Sequence, residues 1–78
     1  MNIVMSEVIS YLTKDGKYDI RKHDNLFDKG LLDSMGVLEI ISIIEEASGI
    51  DFDPEFFIIE NFKSINSIER FILQEAND

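Results

Sequence analysis

The sequence predicts an all-α fold, a small antiparallel four-helix bundle with three main helices and one short third helix. Three observations point there. Apolar residues recur at helical spacing in three separate segments. Each of those segments is bounded by residues that start or stop helices. The one run that reads equally well as a strand, Phe56 to Ile59, has no second strand to pair with.

The first helix is expected over about residues 2–14. At 100° per residue Val4, Met5, Val8, Ile9, Tyr11 and Leu12 share a face, with Ser6, Glu7, Ser10 and Lys14 opposite, and Asp15-Gly16 stops it. A long connector without a clear period follows, from Gly16 to Asp33, for which Ile20, Leu26 and Phe27 are the expected core anchors. Connectors of this length in compact domains tend to be functional or internally packed.

The second helix is expected from about Ser34 to Ser48, ended by Gly49. Val37, Ile40, Ile41, Ile44 and Ala47 form its buried face; Glu39, Ser42 and Glu46 lie opposite, with Glu45 at the edge. Asp53-Pro54, a cap followed by a first-turn proline, opens a short third helix whose body is Phe56 to Ile59. Ser64 caps a last helix over about 65–76, with Ile65, Ile68, Phe71 and Ile72 facing inward.

The 78 residues suffice for one domain, 1–78, and no repeat or linker divides them. With no cysteine there is neither a disulfide nor a thiolate metal site, so apolar packing must stabilise a domain of marginal size. Met1-Asn2-Ile3 has no basic leader, and no apolar run nears the roughly 18 residues needed to span a bilayer. A soluble, cytoplasmic monomer is the expectation. Seven Lys and Arg against 16 Asp and Glu give a net charge of −9. That balance argues against nucleic acid and against anionic membrane surfaces, both of which are bound through cations. It favours basic patches on protein partners instead.

Ser34 stands at the mouth of the second helix. A nucleophilic serine needs a base, and the single histidine, His23, lies among charged neighbours in the connector. The G-x-S-x-G elbow is missing. No catalytic residue is assigned, and no enzyme is expected. Asp51, Asp53 and Glu55 resemble a calcium loop only superficially, because Phe56 and Phe62 occupy the positions that need Gly and Glu. No metal site is assigned. Two readings of Ser34 stay open: it receives a group, since a helix start is exposed and favours an anion, or Asp33 or Ser34 is simply the helix cap. Met35 falls on the polar face beside Glu39, Ser42 and Glu46, as a docking surface would.

The run LFDKGLLDSMGVLEIISIIEE resembles the acyl carrier protein family, which includes peptidyl and D-alanyl carriers. The resemblance rests on Asp33-Ser34-Met35 at a helix start, preceded by Gly30 and followed by Glu39, and it covers about Leu26 to Ile72. It implies that Ser34 carries 4′-phosphopantetheine, transferred from coenzyme A by a separate magnesium-dependent phosphopantetheinyl transferase, with Asp33 beside the attachment point. It further implies that an acyl or aminoacyl cargo is held as a thioester and presented to loading and acyl-transfer enzymes with basic docking patches. Met35, Glu39, Glu45 and Glu46 would face those partners, and Leu38, Phe52 and Ile59 would face the cargo.

Gly36 stands where fatty-acid carriers usually have an acid, and the run FDPEFFIIENF is more apolar than theirs. Both departures lean toward D-alanyl carriers and stand-alone carriers of secondary pathways. The alternative function is an unmodified acidic helical adaptor that binds a basic protein partner through Met35 and the acidic face of the second helix.

Overall fold

The structure, a computed structural model, describes residues 3–76. Helix α1 spans Ile3–Thr13, α2 Ser34–Ser48, α3 Ile59–Phe62 and α4 Ile65–Ala76, and no strand occurs among the described residues. The chain is a small antiparallel helical bundle, as its periodicity predicts. The expected start of the first helix at residue 2 lies outside the described residues, as do the outermost positions of the expected 1–78 domain.

Helix α1 stops because Lys14 and Asp15 take left-handed backbone angles, with φ of 51° and 58°. The Thr13 hydroxyl donates to the Ile9 carbonyl at 2.8 Å and accepts from the Gly16 N–H at 3.0 Å, so the last turn is closed locally. Met5, Val8 and Leu12 are buried, whereas Ile9 and Tyr11 sit at the exposed rim of the predicted apolar face. Tyr11 lies near Gly36 at the start of α2, while Ile3 and Glu7 share a hollow with Ala47 at its end, so α1 and α2 run antiparallel. Ala47 was expected in the core but is exposed, because its methyl group does not fill that hollow.

The connector is internally packed. Asn25 Oδ1 accepts from the N–H groups of Phe27 and Asp28, both at 3.0 Å, and the Leu26 carbonyl accepts from Leu31 and Leu32 at 3.0 and 3.2 Å. Two backbone bonds clasp this segment to the far end of the chain. The Leu26 N–H donates to the Lys63 carbonyl at 2.8 Å, and the Asn66 N–H donates to the Lys22 carbonyl at 3.0 Å. Leu26 is fully buried, and Ile20 and Phe27 pack against the core, as expected of anchors. Leu32 is also buried, although no period in the sequence marks it.

Helix α2 has the predicted bounds and ends at Gly49 with φ 74°, a left-handed cap that only glycine adopts without cost. The third helix differs from expectation. Asp53 caps as predicted, its Oδ1 accepting from the Glu55 N–H at 3.2 Å, but it starts only a 3-10 turn, Pro54–Phe56. Ile58 is extended, and helix resumes as α3 at Ile59, so Phe57 and Ile58 are not helical. Phe56 and Phe57 both pack against the core, while Ile58 is exposed. Ser64 caps α4, its hydroxyl accepting from the Ser67 N–H at 3.1 Å, and Ile65, Ile68, Phe71 and Ile72 are buried as predicted. Phe71 is the aromatic hub, with the rings of Phe52, Phe62 and Phe56 at 5.2, 5.3 and 6.2 Å.

Candidate functional site

The start of α2 is assembled by the chain just before it. The folded-back turn at residues 25–32 delivers Asp33 in extended conformation, and Asp33 Oδ1 accepts from the Gly36 N–H at 2.8 Å. Asp33 is therefore the helix cap, which decides between the two residues that the sequence left open. Ser34 is the first helical residue; it is exposed, and among the described residues no hydrogen bond engages its hydroxyl. A free hydroxyl at a helix start suits receipt of a phosphate, whose charge the N-terminal N–H groups favour.

Beside Ser34 opens a groove of about 260 Å³, walled by Phe27, Val37, Leu38, Phe57 and Ile59. Among the described residues no charged side chain lines it. Leu38 and Ile59, at 52% and 64% exposure, are large apolar groups left open to water at this mouth. An exposed serine next to an apolar trough fits a group that has an anionic attachment and a less polar arm.

The predicted site residues do not all meet. Leu38 and Ile59 are brought to the groove, but Phe52 is not: it is 8% exposed and stacks on Phe71 inside the core. The spacing of Phe52 from α2 gave no hint that Glu45 would fix its backbone. The Glu45 carboxylate accepts from the Phe52 N–H at 2.9 Å, so this half-buried acid ties the end of α2 to the segment after it. Met35, at 68% exposure, and Glu39 stand on the open face of α2 near Ser34. Glu46 lies roughly three turns farther along the helix, in the hollow with Ile3, Glu7 and Ile43. His23 is exposed and does not line the groove.

Three contributors escaped the sequence reading. Phe27 was recognised only as a core anchor, and Phe57 only as part of an ambiguous apolar run, yet both wall the groove. Tyr11 reaches the site from α1; burial first, then the negative charges of Glu39 and Asp33, raise its phenol pKa above the ordinary tyrosine value. Gly36 answers to packing. A Cβ there would lie 2.6 Å from Leu32 Cδ1, 3.5 Å from Asp33 Oδ1 and 3.6 Å from the Tyr11 hydroxyl.

Residues 6–72 match the family model described as a phosphopantetheine attachment site. No curated protein and no solved structure matches the chain.

Proposed function

Because the chain belongs to the phosphopantetheine attachment family, whose members are carriers and not catalysts, we propose that Ser34 is the residue that bears the arm. The observation that carries this reading is the division of labour at the start of α2: Asp33 caps the helix, and the exposed Ser34 hydroxyl has no hydrogen-bond partner among the described residues. Once attached, 4′-phosphopantetheine supplies a terminal thiol that holds cargo as a thioester. This chain contributes position. Asp33 fixes the first turn, the positive end of the α2 dipole favours an anion at the attachment point, and Phe27, Leu38, Phe57 and Ile59 offer an apolar wall to what lies beyond it.

Carriers of this family work with a phosphopantetheinyl transferase and with acyl-handling enzymes. In our reading these partners meet Met35 and Glu39, which stand exposed on the helix that begins at Ser34. Glu46 adds charge farther along the same helix, while Glu45 is given a structural part by its bond to Phe52. Gly36, explained by its packing on Leu32, no longer speaks to the pathway. The uncharged groove favours an acyl cargo over one that ends in an ammonium group, and hence a stand-alone carrier over a D-alanyl one. We read residues 1–78 as one such carrier domain, working as a monomer in the cytoplasm.

The test is intact-mass measurement after incubation with coenzyme A and a broad-specificity transferase. Wild type should gain one arm, and Ser34→Ala none. An unmodified wild-type chain would favour the adaptor function.

A further inference from the structure

A second hollow, of about 370 Å³, lies where the connector meets the junction of α3 and α4. Its wall includes His23 and Asn25 from the connector, Lys63 from the junction, and Asn66 and Arg70 from α4. In a chain with 16 acids, no carboxylate among the described residues lines this hollow. Among the described residues neither His23 nor Arg70 is ion-paired, while Lys63 reaches Glu60 at 3.1 Å in an exposed pair.

The cradle is fixed before any ligand arrives. The bonds from Leu26 to Lys63 and from Asn66 to Lys22 hold its two sides together, at 2.8 and 3.0 Å. Those bonds also occupy the Asn66 N–H, and the Ser67 N–H is taken by the Ser64 hydroxyl. An anion would therefore be held by side chains. A guanidinium, an ammonium, an imidazole and two carboxamides line one hollow, and the guanidinium can meet two oxygens at once. The net charge of −9 works against anion binding in general, so saturable shifts confined to these groups would single this place out.

We propose that this hollow is a binding site for a phosphate monoester, engaged by Arg70, Lys63 and His23. It shares no wall residue with the Ser34 groove, so it does not depend on the carrier reading.

The experiment is a titration of the full chain with inorganic phosphate, followed by NMR shifts of the His23, Asn66 and Arg70 resonances, with chloride at matched ionic strength as the reference. Saturable shifts confined to these groups are expected. Arg70→Gln, at an exposed position, should weaken binding by about tenfold. Glu60→Gln releases Lys63 and should tighten it by about threefold. Lys14→Gln makes the same charge change as Arg70→Gln away from the hollow and should leave binding unchanged. Thermal melts of each variant check that folding is intact. Glycerol phosphate and phosphatidic acid vesicles then tell a free ligand from a lipid headgroup. Shifts no larger than those from chloride, or an equal loss in Lys14→Gln and Arg70→Gln, overturn the proposal.

Discussion

Leu32 and Gly36 pack so closely across the entry to α2 that a Cβ on Gly36 would lie 2.6 Å from Leu32 Cδ1. Alanine at this position should gain about 1 kcal/mol in helix propensity, but forcing Leu32 out of a buried seat costs about 1–3 kcal/mol. Gly36→Ala is therefore expected to lose about 1 kcal/mol on balance in denaturant unfolding. The double variant with Leu32→Ala should lose less than the sum of the singles, because the clash disappears with the leucine.

Asp33 and Ser34 should separate cleanly under mutation. Asp33→Ala removes the cap and should cost about 1 kcal/mol. Ser34→Ala removes no hydrogen bond and should alter stability by less than about 0.5 kcal/mol, yet abolish modification. Mass spectrometry and chemical denaturation read the two effects independently. Modification of the alanine variant would place the arm on another residue.

Met35 and Glu39 are exposed, so replacing them should barely change the melting temperature. Glu39→Lys should slow transfer onto the chain through association rate, with a gap from wild type that narrows as salt rises. Met35→Ala removes an apolar contact, and its deficit should persist across the salt series. Stopped-flow transfer kinetics at several ionic strengths distinguish the two patterns.

Glu45 should behave as part of the fold. Glu45→Ala leaves the Phe52 N–H without its acceptor and should cost about 1–3 kcal/mol, while Glu45→Gln keeps an acceptor oxygen and should recover much of it. Transfer rates measured well below the melting temperature should be near wild type in both. A rate loss in Glu45→Gln without a stability loss would return Glu45 to the docking surface.

Asp24 provides the pH test. The Arg21 N–H, at 2.8 Å, and then the Lys29 ammonium, at 3.1 Å, hold its pKa below the ordinary carboxylate value. A depressed folded pKa means that the contribution is present above the unfolded pKa and lost as pH falls through the folded one. Melting curves of wild type and Asp24→Asn should thus differ most near neutrality and converge in acid. A gap that widens with acidification would contradict this.

Helix bounds and core faces were legible wherever pattern and punctuation agreed. The periodicity from Val37 to Ile44, bracketed by Asp33-Ser34 and Gly49, places α2 closely, and the structure adds that Asp33 is its cap. The segment after Asp53 was not legible, because four consecutive apolar residues carry no period, and tertiary burial of Phe56 and Phe57 decides their conformation. In the site, Met35 could be placed by counting around one helix, whereas Leu38 follows only from the family resemblance. Phe52 could not, since its inward turn depends on a hydrogen bond from another element. The role of Gly36 was hidden for a similar reason. Its partner Leu32 lies in a connector without a period, and close approach leaves no trace in composition.

The two clasps, Leu26 to Lys63 and Asn66 to Lys22, bear on how this chain can change over generations. They divide the connector into a stretch before Lys22 and a tethered stretch from Lys22 to Asp33. Lengthening an untethered loop adds little closure entropy, since each doubling costs only about 0.6 kcal/mol. Inserted residues should therefore be better accepted around Asp19, between the closed end of α1 and the Ile20 anchor. The same insertion at residues 23–32 would pull Asp33 out of register with α2 and the cationic hollow out of shape together. One segment of backbone thus makes two distant features heritable as a unit.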